Sequence, residues 1–430
     1  MTDPRAAVEA ALARLLPGLD DLLASLVAIP SVGGTPSESD IQHVLAGRLD
    51  DLGLEVDRWP LDLAGLAAEP GFPGSEVART EAWGVVARLP GAGGGRSLLL
   101  NAHTDVVPVG DLRAWTSPPF TPTFRGTGDE RRLVGRGACD MKGGLAAAFL
   151  AVAAVSAAAR SGARLAGDVL MAPVVGEEDG GLGTYGMLRR GWRADGCVIP
   201  EPTGLDLVAA NAGALTFRLT LRGSSTHASR RTEGVSVLDH LPRVLAALRA
   251  LEERRNASVD PLLAGWPLAY PLSVGRVSAG DWASSVPDLL VAEGRYGVAL
   301  GEPVDEARAV FEDAVAAACA GDPWLAAHPV EVEWWGGQFA SGRTDPQHPL
   351  LAALASAHQD AGGAEPAALG APYGSDLRLL TGIGGIPTVQ YGPGDSAEAH
   401  APDESVALAD VARCARALAL LAVDWCGAAP

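Results

Sequence analysis

Lysine is almost missing from this chain. Lys142 is the only one, and arginine supplies the rest of the 33 basic residues, against 52 aspartates and glutamates. The formal net charge of −19 argues against a nucleic-acid backbone or an anionic membrane as partner, because either would need a basic patch. Cysteine is scarce too. The five residues Cys139, Cys197, Cys319, Cys414 and Cys426 are odd in number, widely spaced and without a CxxC pair. That pattern speaks against a disulfide framework and for a reducing, cytoplasmic compartment. The opening MTDPRAAVEAALARLL has neither the basic start nor the apolar core of a signal peptide. One apolar run, Gly143 to Ala159, approaches membrane length, but it is mostly alanine and follows Asp140 and Lys142. It reads as a buried helix. A GxSxG nucleophile motif is lacking and no cysteine has a local base, which leaves acyl-enzyme chemistry little support.

What is present is material for a large core. Of 430 residues 48% are hydrophobic, enough for two or three domains, and 53 glycines and 31 prolines without a period mark turns between many short elements. A helical pattern runs to about Val27, and a second helix is expected from Glu38 to Leu52 with Ser37 as its cap. LEVDRW, WGVVARL, SLLLNA, RLVGRG, DVLMAPVV, GCVIP and TVQYG read as strands, and the alanine-rich helix and a terminal helix from about Glu404 accompany them. Short apolar strands alternating with helices predict an α/β domain with a mainly parallel sheet flanked by helices. From about Asn211 the texture changes. ALTFRLTLRG alternates with period two, as a half-exposed antiparallel strand does. An inserted α+β domain is therefore expected at 213–330, inside a discontinuous catalytic domain of 1–212 and 331–430. EVEWW is read as the return of α/β texture.

Polar clusters stand just after the predicted strands, where α/β enzymes gather their ligands. They are Asn101-Ala-His103-Thr-Asp105, Asp140 in GRGACDMKGG, Gly176-Glu177-Glu178-Asp179, Glu201 in PEPT, and His400 with Glu404 in AHAPDE. Positions two apart on a strand face the same way, so the Asp105 carboxylate is placed to orient His103. Three adjacent acids beside a buried strand need something cationic to neutralise them. His103, Asp140, Glu178, Glu201 and His400 suffice for two divalent metal ions that share a carboxylate, with Glu177 left over beside them. Each cluster alone has a plainer reading: a satisfied strand end, a helix cap, a solvated loop. Gly181-Leu-Gly183-Thr-Tyr-Gly186 matches a dinucleotide fingerprint, yet Glu177, Glu178 and Asp179 would repel a pyrophosphate there.

The segments LLLNAHTDVVP, GRGACDMKGG, VVGEEDGG, IPEPT, GSSTHAS, YGSD and YGPGDSAEAHAPDE follow one another over nearly the whole chain. In wording and order they resemble the co-catalytic zinc hydrolases that include acetylornithine deacetylase, succinyl-diaminopimelate desuccinylase, aminoacylase and glutamate carboxypeptidase. The resemblance implies a zinc-peptidase-like catalytic domain with an inserted lid and dimerisation domain. It implies that His103 and Glu201 hold one zinc, Glu178 and His400 the other, with Asp140 bridging, although cobalt or manganese suits the same donors. It also implies a cis peptide at Asp140–Met141 and Glu177 as general base. His227 in GSSTHAS looks like the histidine that reaches into the partner subunit of a homodimer, and Arg295 like the arginine that pairs with a substrate carboxylate. Ser285 stands before Val286-Pro287 where many relatives carry asparagine, a departure that bears on how that carboxylate is gripped. Members with glutamate at the position of Glu201 tend to be deacylases or carboxypeptidases. The expected activity is therefore removal of an acyl group from a small N-acyl amino acid or related amine. The alternatives are a carboxypeptidase or a non-catalytic metal-binding dimer.

Overall fold

Apolar runs too short for helices become strands buried on both faces here, and the computed structural model describes them within residues 3–429. Leu98–His103 and Val169–Val174 are buried along their whole length and lie parallel, with Leu98 opposite Val169 and His103 opposite Val174. Gly196–Ile199 pairs parallel with Leu98–Leu100 on one side and with Thr388–Gln390 on the other. Antiparallel strands extend this parallel centre: Trp83–Leu89 and then Glu55–Pro60 beyond Val169–Val174, and Leu207–Asn211 beyond Thr388–Gln390. The GAGGG loop joins Trp83–Leu89 to Leu98–His103 as expected.

Helices Gly143–Arg160 and Leu408–Cys426 pack on each other and on Leu98–His103, while Pro36–Asp51 and Leu182–Arg189 pack against Trp83–Leu89. The helical stretch Ala138–Arg160 is long and apolar enough to cross a membrane, but 89% of its apolar window is buried inside the fold. Its alanines allow close approach, and the C-terminal helix fills the space so left. Details differ from the sequence reading. Pro17-Gly18 breaks the first helix into Pro4–Leu15 and Leu19–Val27. The next helix starts at Pro36, with Thr35 at the N-cap position in place of Ser37, because proline's fixed φ suits a first turn. The terminal helix starts at Leu408, since Ser405–Ala407 is a strand.

The chain divides into two compact units. The unit just described runs to Ala209 and takes up Arg343–Leu369 and the chain from Ser375 onward. The second is Ala210–Gly342 with Gly370–Gly374, a longer stretch than 213–330. It holds an antiparallel sheet in the order Leu272–Ala279, Leu289–Val298, Gly213–Arg222, Glu331–Phe339. EVEWW is thus an edge strand of this sheet and not the return of α/β texture. Its side chains reach a core of Leu215, Phe217, Leu219, Tyr296 and Phe311 under helices Val237–Arg255 and Val304–Ala320.

Candidate metal centre

Parallel strands release their chains at one edge, and the register places the polar clusters there. His103 ends its strand opposite Val174, so the turn that follows Val174 carries Glu177 and Glu178 beside it. Gly196–Ile199, next to Leu98–Leu100, runs directly into Glu201. Asp140 arrives differently. RLVGRG was expected to behave like the other strands, but Arg132–Val134 belongs to a separate small sheet with Thr123–Arg125 and Ser405–Ala407. Pairing of Ser405 with Val134 ties the His400–Glu404 segment to the one leading to Asp140. The peptide Asp140–Met141 is cis. Helix Gly143–Arg160 begins just beyond, and a Cβ on Gly144 would stand 1.8 Å from the carbonyl oxygen of Pro200. Only glycine permits that approach, which sets Asp140 beside Glu201.

The five expected donors converge. Asp140 Oδ1 is 3.0 Å from His103 Nε2, and Asp140 Oδ2 is 3.4 Å from His400 Nε2. Glu201 Oε2 lies 3.8 Å from His103 Nε2, and Glu178 Oε2 lies 3.0 Å from His400 Nε2. Ligand atoms of His103, Glu177 and Glu201 fall within 4.8 Å of one another, and so do those of His103, Asp140 and Glu178. His103 is buried, whereas the His400 side chain is 52% exposed. His400 and Asp403 both take left-handed backbone, at φ 62° and 56°. Arg136 Nη2 holds the His400 carbonyl at 3.2 Å, and Asp403 accepts from Thr116 N and Oγ1. Such strained backbone persists where its surroundings fix it.

Without cations the cluster holds on to protons. Burial pulls the His103 pKa down, yet the carboxylates of Glu201 and Asp140 outweigh it and hold the imidazole well above its usual value. Hydrogen bonds to Asp140 and Glu178 likewise raise His400. Burial first pushes both Glu177 and Glu201 well above the carboxylate range, helped by the charges of Glu201 and Asp376 at Glu177 and of Asp140, Glu178 and Asp376 at Glu201. Asp140 goes down, because its bonds to the two imidazoles overcome burial. Glu178 Oε1 is buried with no hydrogen-bond partner among the described residues. Crowded carboxylates, an unpartnered buried oxygen and two imidazoles form a donor set that divalent cations fit.

These shifts set the pH response of the metal-free protein. Folded Glu177 and Glu201 keep protons that the unfolded chain releases above its ordinary 4.5, so their share of stability falls as pH rises past that value. The imidazoles act in the same direction. Their contribution is full below the ordinary 6.5 and is lost as pH climbs through the raised folded values. Asp140 has the opposite sign, but its contribution is complete once pH exceeds its ordinary 3.8. Chelator-treated protein should therefore unfold at progressively lower denaturant concentration between about pH 5 and about pH 9. A midpoint that rises over this range would mean that the cluster is not charged as described.

One expected role is corrected. The Asp105 carboxylate was to receive the second nitrogen of His103, but Nδ1 lies 2.9 Å from the Asp105 backbone carbonyl and 3.9 Å from its carboxylate. That carboxylate turns away to accept the backbone N–H groups of Glu177 and Glu178, both at 3.2 Å. It anchors the acidic turn instead. Three further residues, Glu404 among the clusters already named, carry roles that the sequence does not assign. Glu404 Oε1 accepts from the N–H groups of Cys139 and Asp140 while Oε2 takes Arg136 Nη1 at 2.6 Å, so one buried ion pair steadies both Asp140 and His400. Asp376, in YGSD, is buried beside Gly181, where burial raises its carboxyl against the pull of Arg378 and a hydrogen bond from Thr184. A carboxylate packs where the dinucleotide fingerprint would need a phosphate.

The other three expected residues belong to the second unit. His227 and Ser285 form an antiparallel bridge, and Ala228 N donates to Ser284 O at 2.8 Å. His227 is exposed, and its Nδ1 accepts from Ser229 N. Arg295, on Leu289–Val298, stands opposite Thr216 and Ser273 with its guanidinium over the Phe339 ring.

Imidazoles and carboxylates gathered in one cluster at the carboxyl edge of a parallel sheet, in a chain that also carries an inserted α+β unit, define a metal-binding amide hydrolase. Residues 99–424 match the Peptidase family M20/M25/M40. The chain belongs to that family and is an amidohydrolase. It is 28% identical over 90% of its length to 89% of N-formyl-4-amino-5-aminomethyl-2-methylpyrimidine deformylase from Bacillus subtilis (strain 168). It is 35% identical to succinyl-diaminopimelate desuccinylase from Methylobacterium nodulans, over 53% of this chain and 54% of that one. Among solved structures, the di-peptidase Dug1p from Saccharomyces cerevisiae superposes with a TM-score of 0.75 at 17% identity, covering 97% of this chain and 98% of that one.

Proposed function

We propose that the chain is a dinuclear zinc hydrolase that removes an acyl group from a small N-acyl amino acid or related amine. The observation that carries this reading is the Asp140 carboxylate set between two imidazoles, one oxygen facing each. His103 and Glu201 would hold one ion, His400 and Glu178 the other, and Asp140 both. Zinc suits these nitrogen and oxygen donors, and cobalt or manganese fits them as well. Bound there, the ions would polarise the amide carbonyl and acidify a water between them.

The chain's own groups do the rest. Glu177, buried beside His103 and Glu201 and already inclined to hold a proton, takes one from the attacking water and returns it to the leaving amine. Asp105 fixes the Glu177 backbone for that exchange. His227 would donate to the developing oxyanion from the partner subunit, and Arg295 would pair with a substrate carboxylate, with Ser285 beside His227. A homodimer through the second unit is supported by its outer strand Leu272–Ala279 and by Trp282, both largely exposed. A cytoplasmic location is in keeping with five buried free cysteines. The match to the Bacillus subtilis deformylase over 90% of this chain favours a short acyl group.

The test is a panel of N-formyl, N-acetyl and N-succinyl amines and short peptides given to metal-loaded protein and read by mass spectrometry. Acyl release should dominate. Release of a C-terminal amino acid from peptides as the main activity would establish the carboxypeptidase alternative, and no amide cleavage at all would overturn both. Mixing His227→Ala chains with Glu177→Ala chains should restore activity if His227 acts across a dimer, and full activity in a monomer would exclude that role.

A further inference from the structure

The turn Glu177-Glu178-Asp179 carries like charges in a buried place and cannot hold its shape unaided. Asp105 grips it from one side through the N–H groups of Glu177 and Glu178. On the other side stands Arg79, which no motif marks and whose side chain is 3% exposed. Its guanidinium makes a two-sided fork. Nε and Nη2 donate to Glu38 at 2.8 and 2.9 Å, and Nη2 and Nη1 donate to Asp179 Oδ1 and Oδ2 at 2.9 Å each. Asp179 Oδ2 also accepts Ser75 Oγ at 2.7 Å and the N–H groups of Glu76 and Val77 at 3.0 and 3.1 Å. Glu38, 3% exposed, takes the N–H of Gly34 at 2.9 Å.

Segment 74–79 therefore lies directly on the acidic turn. A Cβ on Gly180 would stand 2.2 Å from the carbonyl oxygen of Gly74. One guanidinium serves two buried carboxylates, one of them on the residue that follows Glu178. Without it, two buried charges would lose their partner and the turn would have to move to find water.

We infer that Arg79 is a positioning residue for hydrolysis, its fork fixing Asp179 against Glu38 and so holding Glu177 and Glu178 in register with Asp105. The inference rests on Glu177 as the general base. A base displaced by about 1 Å loses about a hundredfold in rate, whereas substrate binding need not change. Lysine in place of Arg79 keeps the charge and loses the fork.

The metal-loaded Arg79→Lys protein should fold and keep its metal content. Its kcat should drop about tenfold or more, with KM within about twofold. Hydrogen exchange at the amides of Glu76, Val77, Glu177 and Glu178 should quicken. Glu38→Gln, which keeps the shape and weakens one arm, should show the same pattern to a smaller degree, and it carries the test should Arg79→Lys not fold. Unchanged exchange at those amides, or unchanged kcat in a folded, loaded variant, overturns the inference. So does a fall in kcat explained wholly by lost metal. Glu177→Gln measured alongside separates the two levels: if it keeps the full rate, the functional reading fails, while the exchange data still decide whether Arg79 holds the turn.

Discussion

Glu177→Gln should leave metal binding intact and lower kcat by at least about a hundredfold, because the side chain keeps its volume and loses only its capacity to carry a proton. The residue is 8% exposed and lies within ligand distance of His103 and Glu201. Burial and the neighbouring carboxylates favour its protonated form, which is the form needed to return a proton to a leaving amine. The same substitution removes a carboxyl group from an overcrowded cluster, so the metal-free variant should be no less stable than the parent above about pH 5. Steady-state kinetics, metal counting and denaturant unfolding on the same preparation check all three points. A rate within a few-fold of the parent would remove Glu177 from the mechanism. A large fall in stability would make its role structural.

The second large effect belongs to Asp140. Its two oxygens face different imidazoles, so Asp140→Ala removes a donor from both halves of the site at once. After dialysis the variant should retain neither ion, and activity should fall to background. His400→Ala makes the informative contrast, since it strips donors from one half only and should leave the ion at His103 and Glu201 in place. If Asp140→Ala keeps one equivalent of metal, the carboxylate does not bridge.

Much of this site could be read from the chain because strand periodicity and the carboxyl-edge rule act locally. His103, Glu177, Glu178 and Glu201 each follow a run of apolar residues within a few positions, and parallel pairing then aligns them. Asp140 and His400 were legible as residues but not in their route, because the small sheet joining them is built from three-residue strands with too little pattern to notice. The role of Asp105 was misjudged for a similar reason. Alternation on a strand gives the direction of a side chain but not which nearby N–H group will claim it, and here two turn amides did. Arg79 left no trace, since its partners Glu38 and Asp179 are 41 and 100 residues away. The edge strand Glu331–Phe339 was misplaced because its tryptophans look like core of any kind until the neighbouring strand is known.

Crystals of the protein grown with zinc, with diffraction recorded on either side of the zinc absorption edge, address the bridging arrangement most directly. Two anomalous peaks about 3.5 to 4 Å apart are expected, one against His103 and Glu201, the other against His400 and Glu178, and both touching Asp140. A single peak, or peaks that leave the Asp140 carboxylate out of the coordination, would contradict it.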